Sequence, residues 1–249
     1  MSNTRTAVIL AAGMGTRLGD RGRARPKGFL QLGDKPIIEE SIERLRRSGI
    51  EQVIIVTGHC RDAYERLADE AGDFIRTVCN DKYSISGSMY SLYCAKEMID
   101  GDFLLLESDL VYEQKALQSA LSCPEDNCVL LSGFTNSNDE VFVEVDGNRL
   151  INMSKNRAEL GTIGGELVGI TRISPSLFTR MLDISERAFA ESLHYDYETD
   201  CLVAAGQDCP VYCHLEPDLM WAEIDDAAHL ERARSTIYPE IVKRDASLQ

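Results

Sequence analysis

Residues 6–28 read TAVILAAGMGTRLGDRGRARPKG, and this stretch decides the fold. It opens with the apolar run Ala7–Ala12, whose length and composition are typical of a strand buried on both faces of a parallel sheet. The run then breaks into a loop with three glycines, at Gly13, Gly15 and Gly19. Glycines let the backbone turn closely, so that successive peptide N–H groups converge on an anion. Arg17 and Lys27 add full positive charges, so the stretch predicts a polyphosphate site.

Two commoner glycine-rich motifs do not fit this loop. A P-loop requires Lys-Ser or Lys-Thr after its last glycine, and no such pair stands at that spacing. A dinucleotide fingerprint requires a third glycine where this chain has Leu18, and an acidic residue where the second strand ends in Thr57-Gly58-His59. The alternative that stays open is a glycine-rich turn between strand and helix, with ordinary surface cations.

Composition bounds the function classes. A length of 249 residues suits one α/β domain over residues 1–249. The formal net charge of -15 argues against a nucleic-acid partner, because phosphate backbones require a basic face. Within this acidic chain, residues 17–27 carry five cations and one acid, Asp20; the cations are Arg17, Arg21, Arg23, Arg25 and Lys27. Such a local concentration of charge favours a small anionic ligand, with a solvated basic loop as the alternative.

The chain shows neither a membrane span nor a secretion signal. Its longest apolar runs are interrupted by charge, and the first residues lead directly into a strand, so we expect a soluble cytoplasmic protein. Eight cysteines without a C-x-x-C pair are then expected to be free thiols. Cys209, Cys213 and His214 alternate with Val211 and Leu215 as in a strand, which leaves zinc the less favoured interpretation.

Strands and helices alternate along the first half of the chain, which predicts an α/β fold with a mostly parallel mixed sheet and helices on both faces. Strands are predicted near 7–12, 53–56, 74–79, 103–106 and 129–131, and helices near 36–48, 62–71, from Ser86, and 114–121. Ligands of such sheets lie beyond the carboxyl ends of the strands, where the glycine loop also lies.

The second half predicts a small β-hairpin excursion. Residues 141–145 and 149–151 flank the turn sequence Asp146-Gly147-Asn148. Further strands are predicted near 166–170, 211–215 and 220–224, and helices near 175–193, 197–205 and from Ala227. Lys155 follows the hairpin, from where it could reach back over the sheet edge.

Carboxylates follow two of the predicted strands. Glu107-Ser108-Asp109 ends the strand at 103–106, where Asp109 is either a Mg²⁺ ligand or a turn residue. Asp225 and Asp226 precede the last helix, where an N-cap is the competing interpretation. The segment 194–198, HYDYE, combines aromatic rings with Asp196 and Glu198, a composition that suits a small organic cation, although exposed acidic loops are far commoner.

Taken together, these segments resemble the sugar-nucleotide-type nucleotidyltransferases, whose signature is matched in order and spacing by residues 10–18, Pro26-Lys27 and Pro36-Ile37-Ile38. Within that superfamily, Asn80–Tyr83, Met89–Leu92 and Glu223-Ile224-Asp225 look like the cytidylyltransferases for phosphocholine and for 2-aminoethylphosphonate. Gly87-Ser88-Met89 favours the second group, and Val141 stands where the phosphocholine enzymes place a cage tryptophan. The resemblance implies a Rossmann-like fold of the GT-A-like kind.

The resemblance also implies a role for each matching residue. The cofactor that it implies is Mg²⁺, which Asp109 and Asp225 would hold. The triphosphate and pyrimidine of CTP would be bound by Leu10, Ala12, Gly13, Met14, Gly15, Thr16, Arg17, Lys27, Gly87, Ser88, Ser91 and Asp109. Arg17, Lys27 and Lys155 would act on the reacting phosphoryl groups. For the acceptor, the candidates are Lys155, Glu166, Asp196, Glu198, Asp139 and Trp221, chosen from charge and aromatic character.

The implied reaction is transfer of CMP from CTP to a small phosphonate such as 2-aminoethylphosphonate, with release of pyrophosphate. Such an acceptor is already anionic, so the absence of a Ser-His-Asp or Cys-His constellation is expected; the obstacle is repulsion between two polyanions. Phosphocholine, inositol phosphate and a sugar 1-phosphate are alternative acceptors, and UTP is the alternative nucleotide. The alternative outside the enzymes is a protein that binds a nucleotide without catalysing a reaction. A homodimer stays open, while neither a nucleic acid nor a membrane is expected as a partner.

Overall fold

A nine-stranded mixed sheet runs through the residues that the computed structural model describes, 4–18, 25–137 and 140–247. Its strands are β1 Thr6–Ala11, β2 Gln52–Thr57, β3 Ile75–Cys79, β4 Phe103–Glu107, β6 Cys128–Ser132, β7 Phe142–Asp146, β8 Arg149–Ser154, β9 Ile163–Ile173 and β10 Tyr212–Glu216. Their spatial order is β3-β2-β1-β4-β9-β6-β10-β8-β7. Two further strands, β5 Leu110–Tyr112 and β11 Trp221–Glu223, form a separate antiparallel pair.

The first half of the sheet is parallel, as predicted. Strands β3, β2, β1 and β4 pair side by side in one direction, so their carboxyl ends meet at one edge. The expectation of a mostly parallel sheet is wrong for the second half. There β9 runs antiparallel to both β4 and β6, and β7 pairs antiparallel with β8 and β9. The reversal has a consequence for function: Glu166, near the start of β9, lies opposite Ser132, at the end of β6.

Helices cover both faces, which confirms the α/β class. Their bounds are α1 Ile37–Arg47, α2 Arg61–Ala71, α3 Ser88–Cys94, α4 Gln114–Ser122, α5 Pro175–Ala188, α6 Val203–Gly206, α7 Ala227–Arg232 and α8 Tyr238–Ala246. A π-helical turn at Tyr197–Leu202 leads into α6, and another at Ala233–Ile237 joins α7 to α8. Among the described residues, no helix has the length and apolar character needed to cross a bilayer.

Alternate side chains of β1 enter two different cores. Val8 and Leu10 pack with Met89 and Leu92 of α3 on one face of the sheet. Ala7 and Ile9 belong to the other core, which also contains side chains of α1, α2 and α4. All six residues from Ala7 to Ala12 are nearly inaccessible to solvent. The apolar run is therefore continuous rather than alternating because both faces of the strand are covered.

Helix α1 illustrates how local sequence sets an element's limits. Pro36 precedes its first turn in extended conformation, and Ile38, Ile42 and Leu45 form the buried stripe. Gly49 ends it with a φ of 86°, while the Ile50 amide donates to the Leu45 carbonyl. This left-handed glycine satisfies carbonyls at the helix end, as the sequence predicts.

The buried Arg172 of β9 holds the connection between α4 and β6. Its guanidinium donates to the carbonyls of Leu121 at 3.1 Å, Cys123 at 3.0 Å and Asp126 at 3.3 Å, and also contacts that of Glu125. The side chain is 2% exposed, so these carbonyl dipoles replace the water that the cation loses on folding. The contacts fix the loop that precedes β6 on the side of the sheet remote from the glycine loop.

We expect Arg172→Met to lower the free energy of unfolding by about 2–4 kcal/mol, because several buried carbonyls lose a charged donor at once. Urea unfolding at neutral pH measures the change. Arg180→Met is the matched control, since Arg180 pairs with Asp208 at the surface and its loss is expected to cost about 0–1 kcal/mol. Equal destabilisation by the two variants would contradict the structural role of Arg172.

Candidate active site

The loop after β1 places small and cationic groups over the carboxyl edge of the sheet. Gly15 adopts a φ of 60°, a conformation that side chains other than glycine rarely take, and its carbonyl accepts from the Leu18 amide at 3.1 Å. The resulting turn, Thr16–Leu18, buries Leu18 and leaves Arg17 exposed. Gly19, Arg21 and Arg23, the further glycine and cations named from the sequence, lie outside the described residues.

A second turn, Lys27–Phe29, brings Lys27 to the same edge. Pro26 enters it in extended conformation, and Gly28 packs directly on the end of β4. A Cβ on Gly28 would lie 2.9 Å from both the Ser108 carbonyl oxygen and the Tyr64 hydroxyl, so only glycine fits without a shift. The absence of a side chain here is what lets Lys27 approach the strand ends.

Three carboxylates meet beneath Lys27. The Ser108 amide donates to the Leu10 carbonyl, and the Ile224 amide donates to the Asp109 carbonyl, which joins the ends of β1, β4 and β11. One oxygen each of Asp109, Glu223 and Asp225 then lies within 4.8 Å of the others. The competing N-cap role belongs to Asp226 instead, whose carboxylate accepts from the His229 amide at the start of α7.

Lys27 bridges two of these carboxylates. Its Nζ lies 2.7 Å from Asp109 Oδ2 and 2.7 Å from Asp225 Oδ1. Arg17 approaches the same Asp225 oxygen at 3.3 Å from the solvent side. Burial by itself lowers the pKa of the Lys27 ammonium, but Asp109 and then Asp225 outweigh it and hold that pKa above its ordinary value. Lys27 is therefore a fixed cation at the centre of the site.

A cleft of about 250 Å³ lies over this arrangement. It is lined by Leu10, Ala11, Gly13, Gly15, Thr16, Arg17, Pro26, Lys27, Tyr64, Glu107, Ser108, Asp109, Glu223 and Asp225. Most residues assigned to the triphosphate from the sequence are thus brought together here. Of the others, Ala12 is buried at the base of the loop, and Met14 is exposed beside it.

A second recess adjoins this cleft. Its lining combines Thr135, Val141, Trp221, His229 and Arg232 with the acidic side chains of Glu107, Glu140, Glu198, Glu223 and Asp225. Glu107, Glu223 and Asp225 line both the recess and the first cleft, so the two spaces meet at the carboxylate cluster. A ligand in the recess would therefore lie next to a ligand on the glycine loop.

The recess gathers carboxyl groups whose ionisation is suppressed by their surroundings. Burial raises the pKa of the Glu107 carboxyl well above its usual value, and Glu198 and Asp109 add to the effect. Burial also raises the pKa of Glu223 to about 8, reinforced by Asp109 and Asp225, and the pKa of Glu198 to about 7, reinforced by Asp196. Among the described residues, no donor is hydrogen-bonded to the carboxylate of Glu107 or Glu223. The recess therefore favours a cationic ligand group.

Three residues assigned to the pyrimidine lie at the start of α3, in contact with the segment before Tyr197–Leu202. The Gly87 amide donates to the Leu193 carbonyl, and a Cβ on Gly87 would lie 2.5 Å from the Tyr195 carbonyl oxygen. Ser88 Oγ donates to Asp196 and accepts from the Tyr197 amide. The buried hydroxyl of Ser91 accepts from Asn80 Nδ2 at 3.0 Å. These groups are engaged within the protein and do not line the two spaces described above.

The residues assigned to the acceptor are dispersed. Glu198 and Trp221 line the recess, although the Trp221 indole is also buried and donates to Ser132 Oγ at 2.8 Å. Glu166 is 1% exposed and accepts from the Thr135 amide, so it fixes the loop at the rim. Asp196 caps the start of α3, and Lys155 is exposed but close enough to lower the pKa of Glu198. Asp139 lies outside the described residues.

Sequence reasoning left Glu107 and Glu223 out of the site. The signal was present, because each stands two residues before an assigned metal ligand, Asp109 or Asp225. Glu107 ends β4 and Glu223 ends β11, so each carboxylate stands at the strand end that leads to an assigned metal ligand. Both pairs end strands whose carboxyl ends reach the site.

The donor set fits a hard divalent cation. Asp109, Glu223 and Asp225 supply only oxygens, the ligands that Mg²⁺ prefers, from residues distant in the sequence. Lys27 and Arg17 offset the charge of Asp109 and Asp225, and the Glu223 carboxyl supplies a third oxygen donor beside them. In the part of the chain that the structure describes, this is the only such group of histidine, cysteine or acidic side chains.

Comparison with known proteins agrees with this geometry. The sequence model of the MobA-like NTP transferase domain matches residues 7–163. The CMP-5'-(3-aminopropyl)phosphonate synthase of Streptomyces rubellomurinus is 29% identical over 238 residues, which cover 91% of this chain but 38% of that longer protein. The 2-aminoethylphosphonate cytidylyltransferase of Lancefieldella rimae is 25% identical over 190 residues, 76% of this chain and 74% of that protein.

The fold has close counterparts among solved structures. The inositol-1-phosphate CTP transferase of T. maritima superimposes with a TM-score of 0.81 at 21% identity. The superposition covers 97% of this chain and 96% of that one. At this level of identity the likeness establishes the shared fold.

The raised pKa of Glu198 predicts that Glu198→Gln increases thermal stability, and that the increase grows with pH. A carboxyl whose folded pKa exceeds its unfolded value, here about 7 against 4.5, makes the wild type lose stability as pH rises between those values. With chelator present, we expect the variant's melting temperature relative to wild type to rise by roughly 2–4 °C between pH 5 and pH 8. Differential scanning calorimetry at both pH values measures this.

Glu191→Gln is the control for this experiment, because Glu191 is an exposed glutamate outside the recess. Its melting temperature relative to wild type is expected to stay constant across the same range. If the melting temperature of Glu198→Gln also kept a constant difference from wild type between pH 5 and pH 8, the protein would not raise the pKa of the Glu198 carboxyl.

Proposed function

The chain belongs to the MobA-like NTP transferase family, and from this premise we propose that it is a Mg²⁺-dependent cytidylyltransferase acting on a small aminophosphonate. CTP would donate CMP to 2-aminoethylphosphonate or a close analogue, and pyrophosphate would be released. The observation that carries the proposal is the junction of the two spaces. The cationic cleft and the acidic recess share Glu107, Glu223 and Asp225.

The cleft suits a triphosphate. Lys27 and Arg17 supply full charges, and the loop around Gly13 and Gly15 supplies backbone N–H groups without intervening side chains. A bound divalent ion would neutralise phosphate charge and orient the triphosphate, and Asp109, Asp225 and Glu223 are the residues that would hold it. Lys27, Arg17 and the loop amides would stabilise the remaining negative charge on the leaving pyrophosphate.

The reaction needs no general base from the protein. A phosphonate oxygen of the acceptor forms a bond to the α-phosphorus of CTP, and the bond from that phosphorus to the oxygen bridging it to the β-phosphorus breaks. Because the acceptor is already anionic, no proton has to be removed, and catalysis consists of positioning two repelling anions. Lys27, which lines the cleft and contacts Asp225 at its border with the recess, is the side chain best placed to stabilise the developing charge.

The acidic recess supports an acceptor that carries an amine. The pKa values of Glu107, Glu198 and Glu223 are raised without a ligand, and a bound ammonium would lower them and pair with the charged carboxylates. Trp221 adds an aromatic wall, the observation that keeps phosphocholine as a second candidate acceptor. The similarity to an aminopropylphosphonate synthase and an aminoethylphosphonate cytidylyltransferase supports an aminophosphonate acceptor.

Turnover tests the proposal directly. With Mg²⁺ and CTP, we expect pyrophosphate release with 2-aminoethylphosphonate to exceed release with phosphocholine, inositol 1-phosphate and glucose 1-phosphate by at least about tenfold in kcat/KM, because it alone brings an ammonium whose N–H groups can donate to the carboxylates of the recess. UTP replaces CTP in a parallel series. Release with a sugar phosphate alone would overturn the acceptor, and no release with any acceptor would overturn the activity.

Glu107→Gln tests the assignment of the recess to the amine. Losing a charged partner of an ammonium is expected to lower kcat/KM for 2-aminoethylphosphonate by about 10–100-fold. Ethylphosphonate, which lacks the amine, is the matched acceptor, and its kcat/KM is expected to change by less than about threefold. Glu159→Gln, at an exposed position, is the matched variant. Equal losses for both acceptors would show that Glu107 acts on the phosphoryl groups instead.

A further inference from the structure

Lys27 holds the position at which a divalent ion would be bound. Its Nζ contacts Asp109 Oδ2 and Asp225 Oδ1 at 2.7 Å each, and its side chain is 17% exposed while the two aspartates are 8% exposed. An ammonium with two charge-assisted hydrogen bonds in a shielded position is a strong partner for a carboxylate pair. The aspartates are therefore already compensated before any ion binds.

The ammonium and a divalent ion compete for the same two carboxylates, since Lys27 already contacts one oxygen of each aspartate. A magnesium ion requires carboxylate oxygens at about 2.0–2.1 Å in a near-octahedral arrangement, and water molecules complete its coordination shell. If the ion shared both aspartates with Lys27, its two positive charges would lie beside that of the ammonium. Arg17, 3.3 Å from Asp225, would add a fourth positive charge. Lys27 in this position therefore opposes binding of the ion alone.

A triphosphate offers the displaced ammonium new partners. Lys27 lies in the cleft with Gly13, Gly15 and Thr16, where the phosphates would be bound. Phosphate oxygens there replace the aspartates as acceptors, and their negative charge offsets the cations gathered at the strand ends. The transfer of Lys27 from the aspartates to phosphate oxygens therefore has a small free-energy cost only when the ion and the triphosphate bind together.

We propose that Lys27 is the resident cation of the carboxylate site, so that the divalent ion is bound tightly only together with the triphosphate that takes over the lysine. This inference rests on the proposed function for the identity of that triphosphate. It adds a positioning role for Lys27 before the reaction starts, apart from its action on the phosphoryl groups. It also makes metal binding and nucleotide binding mutually dependent.

Metal binding without nucleotide tests this inference. Mn²⁺ replaces Mg²⁺ as the probe, and electron paramagnetic resonance of free Mn²⁺ measures its binding to the full chain. We expect Lys27→Met to bind one Mn²⁺ at least about tenfold more tightly than wild type, because the competing ammonium is gone. Adding Asp109→Asn to Lys27→Met is expected to abolish the tight site, which locates it.

Two further variants serve as controls. Lys35→Met removes an exposed lysine that pairs with Glu43, and it is expected to bind Mn²⁺ as wild type does. Lys27→Arg keeps the positive charge and is expected to bind the ion as weakly as wild type. Wild-type affinity for Mn²⁺ equal to that of Lys27→Met would overturn the inference.

A second measurement on wild type holds even if Lys27→Met does not fold. Bound Mn²⁺ is counted with and without an α,β-methylene analogue of CTP, after subtraction of Mn²⁺ bound by the analogue alone. Protein-bound Mn²⁺ is expected only with the analogue, and a tight site in its absence would overturn the inference. Pyrophosphate release by wild type is scored separately: turnover with a tight nucleotide-free site rejects only the role of Lys27, whereas no turnover with any acceptor rejects the proposed function.

Discussion

Repulsion among carboxylates at one sheet edge is the constraint on which the site depends. Asp109 follows β4, while Glu223 and Asp225 end β11, and hydrogen bonds between the two segments force the acidic groups within 4.8 Å of one another. Such an arrangement is unfavourable unless cations compensate it. Lys27 supplies part of that compensation, and Gly28 makes its approach possible because no Cβ stands between the turn and the end of β4.

The same constraint relates the two spaces of the site. On one side the carboxylates meet Lys27, Arg17 and the glycine loop, where anions are favoured. On the other they merge with Glu107 and Glu198, where cations are favoured. A donor rich in phosphate and an acceptor with an anionic and a cationic end can therefore approach each other from opposite sides. The strongly acidic composition of the chain conceals this local division of charge.

The sequence alone predicted the parts of the fold that depend on local pattern. The apolar run Ala7–Ala12, the stop of α1 at Gly49 and the hairpin turn at Gly147 lie where pattern and backbone requirements place them. The reversal of β9 was missed because strand direction in a sheet depends on contacts distant in the chain. The pairing of β11 with β5 was missed for the same reason, since Leu110–Tyr112 is too short to stand out as a strand. Likewise, the motif around Asp109 predicted an acidic edge, but the bridge formed by Lys27 depends on tertiary approach.

The most direct measurement is a crystal structure of the chain grown with Mn²⁺ and a non-hydrolysable CTP analogue, with the ion located by its anomalous signal. The account predicts one strong peak within about 2.0–2.3 Å of oxygens of Asp109 and Asp225. It also predicts that Lys27 Nζ has moved from the aspartates to phosphate oxygens. A peak bound elsewhere, or an analogue seated away from the loop at Gly13 and Gly15, would contradict it.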